Sequence, residues 1–84
     1  MENINYTKQE LKEFDELLPE VIKLFVEKQI ASVAMTQRVF SVDKERATKI
    51  VDKIQSLGFI SEPKGLRVRQ VLITKEKFVE IFGD

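Results

Sequence analysis

The fold is decided by residues 43–57, which read DKERATKIVDKIQSL. Their apolar members recur at the three- and four-residue spacing of one face of an α-helix; they are Ala47, Ile50, Val51, Ile54 and Leu57. The other side of such a helix carries the polar residues Glu45, Lys49, Asp52, Lys53 and Ser56. The pattern therefore predicts a helix at residues 43–57 with one face in the core and the other pointing away from it.

The segments on either side of this helix predict what surrounds it. A shorter amphipathic run at residues 33–40 precedes it, and a turn at residues 41–43 separates the two, which is the spacing of a helix-turn-helix. After Gly58, residues 58–61 and 69–73 alternate or run apolar around a turn at residues 63–65, as in a β-hairpin. A helix-turn-helix followed by a hairpin predicts a winged helix, which offers its second helix to DNA.

Further elements are predicted towards the N-terminus. Thr7 and Glu10 have the spacing of a capping box, so a helix should begin there. Pro19 suits the first turn of another helix, at residues 19–28, better than the interior of one long helix. Residues 29–31 are a candidate third strand beside the wing, and Ser32 suits an N-cap. The first of these helices would carry Leu11, Phe14, Leu17 and Leu18 on one side.

A last short helix is predicted after residue 73. Thr74 can cap its start and Gly83 its end. Its apolar residues and those of the N-terminal helix offer more apolar surface than a small core easily covers: Tyr6, Leu11, Phe14 and Leu17, with Phe78, Val79, Ile81 and Phe82. We expect these two ends to pack within one chain and keep it monomeric, although pairing with a second chain is the alternative.

Length and composition indicate one globular domain. The chain has 84 residues, of which 43% are hydrophobic and 33% charged, enough for a single small core. The predicted class is α+β: a winged helix-turn-helix with a three-helix core, a small β-hairpin wing and additional N- and C-terminal helices. The domain should occupy residues 1–84, with its core at about 17–73 and helical extensions at 7–16 and 74–82.

Several functions are disfavoured by what the sequence lacks. There is no cysteine and no histidine, so disulfides, thiolate metal sites and a histidine base are not available. No nucleophile–base arrangement can be assembled from the remaining residues, and we expect no enzyme activity, no cofactor and no metal. Apolar runs fall short of the ~20 residues that cross a bilayer, and the start does not resemble a signal peptide. These features predict a cytoplasmic protein without a membrane partner.

Charge is unevenly distributed although the formal net charge is zero. Residues 1–37 carry net −3, residues 38–69 net +4 and residues 70–84 net −1. The basic third coincides with the predicted recognition helix and wing, so double-stranded DNA is the expected partner. Three packed helices without any ligand would also explain the amphipathic pattern and are the alternative.

The positions of the basic residues on the predicted helix and wing select the candidates for DNA contact. Lys49 is the candidate for a base edge or a phosphate, with pairing to Glu45 or Asp52 on the same helix as its alternative. The segment 62–69 should lie on the DNA backbone or in the minor groove. Arg46, at the flank of the helix, has an acidic residue at the core rim as an alternative partner.

An ordered set of residues resembles the gamma domain of the FtsK family of DNA translocases. The matching residues are Ala31-Ser32-Val33, Gln37-Arg38, Phe40, Arg46-Ala47, Gly58, Ile60-Ser61-Glu62, Gly65, Arg69 and Val71-Leu72. With residues 18–28, which resemble that domain's first helix, the similarity covers about two thirds of the chain. The resemblance implies a winged helix that reads short orienting sequences on the chromosome during chromosome segregation, with an ATPase motor or a tyrosine recombinase as further partners.

The resemblance also implies which residues read bases. That family uses an Asn, an Arg and an acidic residue on the recognition helix, and the matching positions here are Glu45, Lys49 and Asp52. A Glu accepts from cytosine amino groups, and a Lys lacks the bidentate fork of Arg for guanine. The full set of expected DNA-contacting residues is Gln37, Arg38, Lys44, Glu45, Lys49, Asp52, Lys53, Lys64, Arg67 and Arg69.

Two other functional classes remain open from the sequence. A stand-alone winged-helix transcription regulator would use the same helix but would dimerise to span two half-sites. A protein-docking winged helix, contacting a recombinase, is the second alternative. A selection of bound random duplexes separates the regulator from a translocase-like domain. A regulator dimer prefers a palindrome, and a translocase-like domain prefers a short asymmetric site.

Overall fold

The computed structural model of the chain describes residues 7–63 and 68–83. Within these ranges there are five helices and one two-stranded antiparallel sheet. In chain order the elements are α1 (Lys8–Phe14), α2 (Leu18–Lys28), β1 (Ala31–Ser32), α3 (Val33–Phe40), α4 (Lys44–Ser56), β2 (Val68–Arg69) and α5 (Lys75–Phe82). None of these described helices is both long and apolar enough to cross a bilayer.

Side-chain caps begin four of the described helices. Thr7 and Glu10 form the predicted capping box at the start of α1. Ser32, Asp43 and Thr74 each accept a backbone amide hydrogen at the start of α3, α4 and α5. These bonds satisfy amides that the first helical turn leaves without a carbonyl partner. The predicted capping roles of Thr7, Ser32 and Thr74 are confirmed.

The break between α1 and α2 falls earlier than the proline. α1 ends at Phe14, and the Leu17 amide donates to the Asp15 carboxylate over 2.9 Å. α2 then begins at Leu18 with Pro19 in its first turn, as predicted. The expectation that Phe14 joins the core is wrong, because its side chain is 49% exposed. Because α1 ends at Phe14, Phe14 and Leu17 do not lie on one face of the same helix.

The core is built around the inner faces of α2 and α4. Their buried residues repeat at helical spacing and form one cluster with buried residues from α1, β1, α5 and the segments after α4 and before α5. Burial of each large apolar side chain stabilises the fold by about 1.5 to 3 kcal/mol. The cluster contains Leu11, Leu18, Val21, Ile22, Phe25, Val26, Ala31, Ile50, Val51, Ile54, Phe59, Ile60, Ile73, Phe78 and Phe82.

The paired strands include the predicted third strand beside the wing, whereas the predicted hairpin is only partly formed. β2 pairs with β1 in antiparallel register, Ala31 opposite Arg69 and Ser32 opposite Val68. The predicted hairpin partners, residues 58–61 and 69–73, meet only through an isolated Ile60–Val71 bridge and neighbouring hydrogen bonds in the described chain. The ladder between them is interrupted because the amides of residues 72 and 73 both donate to the Phe59 carbonyl.

The small third strand exists but is shifted along the chain. It occupies Ala31–Ser32 and not residues 29–31. Gln29 ends α2 in the left-handed region, with φ of 59°, and so cannot take the extended conformation of a strand. Two residues of the turn predicted at 63–65 are 64 and 65, which lie outside the described part of the chain.

The C-terminal helix packs within its own chain, as predicted. Phe78 and Phe82 on α5 are 7% and 8% exposed and belong to the core cluster, where α5 contacts α2. Their ring centroids lie 4.7 Å apart, a spacing at which aromatic pairs attract each other. Val79 on the same helix remains 42% exposed. The monomeric state itself stays a prediction.

We expect Phe78→Ala to lower the free energy of unfolding by about 3 to 5 kcal/mol, because it leaves a cavity between α5 and α2. Denaturant titration measures this loss. Val79→Ala, on the exposed side of the same helix, is the control and should stay within about 0.5 kcal/mol of the parent.

Sedimentation of the parent and of Phe78→Glu tests whether the protein is a monomer. A dimer that this variant converts into folded monomers would contradict intrachain packing.

Candidate nucleic-acid interface

The turn between α3 and α4 sets the direction of α4. Ser41 ends α3 in the left-handed region at φ of 55°, and Asp43 returns to extended backbone as the N-cap of α4. Asp43 accepts the Arg46 amide over 2.8 Å. A non-glycine residue in the left-handed region carries a conformational cost that surrounding packing must offset. The extensive contact between α3 and α4 supplies that packing.

The outer face of α4 is exposed, as the periodicity predicted. Ala47, Ile50, Val51 and Ile54 are fully buried, so the residues opposite them must face solvent. The side chains of Glu45, Lys49 and Asp52 are 80%, 69% and 62% exposed. Lys49 Nζ lies 3.7 Å from Glu45 Oε2, one helical turn away. Such an exposed pair is worth only about 0.3 to 0.5 kcal/mol, so it leaves Lys49 able to contact another acceptor.

One flank of α4 is fixed by an ion pair with the turn after α1. Arg46 donates from Nε to Asp15 Oδ2 over 2.9 Å and from Nη2 to Asp15 Oδ1 over 2.7 Å. This two-pronged geometry is the strong form of a charge-assisted hydrogen bond. The Arg46 guanidinium lowers the pKa of Asp15; partial burial opposes this effect and the Leu17 amide adds to it. Arg46 therefore has an acidic partner at the rim of the core, the alternative considered from the sequence.

A second basic residue lies on the same flank. Lys53 follows Arg46 by two helical turns, and its Nζ lies 5.3 Å from the centre of the exposed Phe14 ring. A cation at this distance over an aromatic face is attracted by the ring's quadrupole. Arg46 and Lys53 thus both contact the C-terminal end of α1, Arg46 through Asp15 and Lys53 through Phe14. The sequence had placed Lys53 beside the DNA-facing residues, and its role there remains untested.

Arg69 differs most from its predicted place. It was expected, with Lys64 and Arg67, to contact DNA from the segment 62–69, but only 13% of its side chain is exposed. Its Nη2 lies 3.8 Å from Asp52 Oδ1 on α4, and its Nη1 is buried. Strand pairing explains the difference, because Arg69 is opposite the buried Ala31 and so lies on the inner side of the sheet. Lys64 and Arg67 lie outside the described residues.

The remaining candidates surround the turn between α3 and α4. Arg38 is exposed in the last turn of α3, and Lys44 is exposed at the first position of α4. Gln37 on α3 is half-buried. Both charged residues can reach solvent near the start of the recognition helix, where phosphate contacts are common in helix-turn-helix proteins.

Sequence reasoning missed two residues that hold this surface in place. Neither Asp15 nor Phe14 was considered as a partner for α4, because both lie about 30 residues before it. A local signal existed for Asp15, since an Asp shortly before a new helix often bonds to a free amide, as it does here with Leu17. Its bond to Arg46 has no such local signal.

A helix-turn-helix packed beside a small antiparallel sheet is consistent with the winged-helix class of DNA-binding domains. The sequence defines the family: the chain belongs to the FtsK gamma domain family, whose model matches residues 12–74. The match includes α2, α3, α4 and both strands, and ends before α5.

Individual relatives are DNA translocases. The chain is 44% identical over 66 residues to the DNA translocase FtsK of Sporosarcina ureae, a match that covers 79% of this chain and 8% of that protein. It is 39% identical over 67 residues to SpoIIIE and 41% identical over 69 residues to SftA, both DNA translocases of Bacillus subtilis. These matches cover 80% and 82% of this chain, but 8% and 7% of the relatives. The chain thus corresponds to a small part of each relative.

The Asp15–Arg46 pair predicts a specific pH dependence of stability. Because the folded-state pKa of Asp15 lies below its unfolded value, the pair stabilises the fold above about pH 4, and this contribution is lost as the pH falls through the folded pKa. Asp15→Asn retains an oxygen for the Leu17 amide but removes the charge. We expect it to lower the unfolding free energy at pH 7 by about 1 kcal/mol.

Denaturant titrations between pH 7 and pH 2 measure this effect. The gap between the parent and Asp15→Asn should shrink as the pH falls. Glu27→Gln, which removes an exposed carboxylate from α2, is the control and should follow the parent throughout. A gap that stays constant down to pH 2 would show that the charge of Asp15 contributes nothing.

Proposed function

We propose that this domain binds duplex DNA without catalysing a reaction, with α4 in the major groove. The observation that carries the proposal is the exposed outer face of α4, where Glu45, Lys49 and Asp52 project from a helix whose other side is fully buried. A helix of 13 residues is about 20 Å long. The major groove, about 12 Å wide, admits such a helix.

The outer face offers both kinds of hydrogen-bonding group that a base edge requires. Lys49 donates, and guanine O6 and N7 accept; Glu45 and Asp52 accept, and the cytosine amino group donates. The segment 62–69, which follows in the chain, would lie on the backbone or in the minor groove. Its residues Lys64 and Arg67 are proposed as phosphate contacts. Membership of the gamma family supports this arrangement.

The distribution of basic residues supports a limited number of phosphate contacts. Residues 38–69 contain eight Lys and Arg side chains, of which Arg46, Lys53 and Arg69 contact residues of other elements. The other five are Arg38, Lys44, Lys49, Lys64 and Arg67. About five neutralised phosphates would suffice for DNA binding that depends steeply on salt.

The cellular role proposed for the domain follows from its relatives. Those relatives are named DNA translocases, and we propose that this domain reads orienting DNA sequences for such a motor during chromosome segregation. A tyrosine recombinase and an ATPase motor are the proposed protein partners. A dimeric transcription regulator has less support, because Phe78 and Phe82 are buried within one chain and are not available to a second.

We expect the logarithm of the DNA affinity to fall with the logarithm of the salt concentration at a slope of about −4 to −5, corresponding to five phosphate contacts. Fluorescence anisotropy with a labelled duplex at several salt concentrations measures the slope. A single strand of the same sequence is the control and should bind more weakly. Affinity that does not change with salt, or no binding at low salt, would favour the protein-docking alternative.

Lys49→Ala should weaken a preferred duplex by about 1 to 3 kcal/mol while affecting random duplexes less, because base contacts carry the sequence information. Arg67→Ala should weaken both duplexes alike. Lys75→Ala, an exposed lysine on α5, removes the same charge and should change neither affinity appreciably. If Lys49→Ala weakens both duplexes equally, α4 contributes only phosphate contacts.

A further inference from the structure

The ion pair between α4 and β2 has an uneven geometry. Asp52 Oδ1 and Arg69 Nη2 are 3.8 Å apart, yet the Asp52 side chain is 62% exposed and that of Arg69 only 13%. The guanidinium therefore lies on the protein side of the carboxylate. The carboxylate lies on the outer face of α4, beside Lys49 in the helical pattern.

The position of Arg69 is unsuited to a direct phosphate contact. Its Nη1 is buried and has no hydrogen-bond partner among residues 7–63 and 68–83. The strand pairing with Ala31 directs the Arg69 side chain to the inner side of the sheet. A phosphate oxygen could reach this nitrogen only after β2 had moved or the side chain had turned outward, which would leave Asp52 without its partner.

Asp52, in contrast, is free to accept a hydrogen bond from a group that does not belong to the domain. Within the described ranges, its only close polar partner is Arg69, through Oδ1. A carboxylate near DNA is repelled by phosphates, and a neighbouring cation reduces this repulsion. Arg69 supplies that cation from the protein side, while Asp52 Oδ2 has no close polar partner within the described ranges.

We propose that Arg69 is a positioning residue for sequence reading. It holds and neutralises Asp52, so that the carboxylate can accept a hydrogen bond from the amino group of a cytosine in the major groove. Arg69 itself makes no phosphate contact. This inference rests on the proposed DNA binding and replaces the phosphate role that the sequence suggested for Arg69.

The test uses a duplex library with a randomised core, from which bound molecules are selected and sequenced. Asp52→Asn should lose a cytosine preference at one position by about 5- to 150-fold. Arg69→Met should lose the preference at the same position, and the double variant should lose no more than either single one. In Arg69→Met the salt slope for the unselected library should not fall, because no cation–phosphate contact is removed. Its affinity should fall only slightly, through the repulsion between phosphates and the uncompensated Asp52 carboxylate.

Two further variants separate positioning from phosphate binding. Arg38→Met makes the same substitution at an exposed arginine, and should reduce the salt slope by about 1 without altering the base preference. Arg69→Lys keeps the charge, but its side chain is one bond shorter than that of arginine, whose terminal Nη2 makes the 3.8 Å contact with Asp52. It should therefore lose most of the cytosine preference, although a lysine would serve as well as an arginine in a simple phosphate contact.

Folding of each variant is checked by circular dichroism before selection. Removing Arg69 leaves no uncompensated buried charge, because the side chain of its partner Asp52 is 62% exposed. Arg69→Lys provides the same test if the methionine variant does not fold. A reduced salt slope with an intact cytosine preference in Arg69→Met would overturn the inference while leaving DNA binding in place, and so would an intact cytosine preference in Arg69→Lys. Absence of binding by the parent protein would instead refute the proposed function.

Discussion

The structure depends on the complete burial of one side of α4. Ala47, Ile50, Val51 and Ile54 have no solvent exposure, and rotation of the helix by one residue would expose at least part of this set. The hydrophobic core therefore fixes the rotation of α4 about its own axis. It also fixes which side chains face outward, so a packing constraint inside the domain determines the chemistry of the surface.

Polar contacts add restraints on both flanks of α4. Arg46 and Lys53 contact the end of α1 and the turn that follows it, while Asp52 contacts Arg69 in β2. The outer face between these flanks carries Lys49, whose nearest ionic partner is on its own helix. Basic residues of this region thus fall into two groups, those that hold the helix in the domain and those left for an external partner.

Local patterns in the sequence were sufficient for the helices and their caps, because a helix is specified by residues three and four positions apart. The capping roles of Thr7, Ser32 and Thr74 needed only neighbouring residues. A strand beside the wing was predicted, but its register and the ion pairs between distant segments were not predictable in this way. The Asp15–Arg46 ion pair joins residues 31 positions apart, and the strand pairing that turns Arg69 inward depends on a partner near residue 31. For the site, position on α4 was therefore predicted better than the contacts of individual charges.

The pairing of β1 with β2 also bears on the order in which the domain assembles. Ala31 and Arg69 lie 38 positions apart, so their pairing closes a long loop and loses chain entropy before it gains a ladder of only two residues. The helices between them form from local contacts and can precede it. The sheet should accordingly be among the last parts to form and the first to open in native-state hydrogen exchange. Such opening would release Arg69 while α2 and α4 remained folded. The helix α4 would then keep its place in the core after the contact between Asp52 and Arg69 was lost.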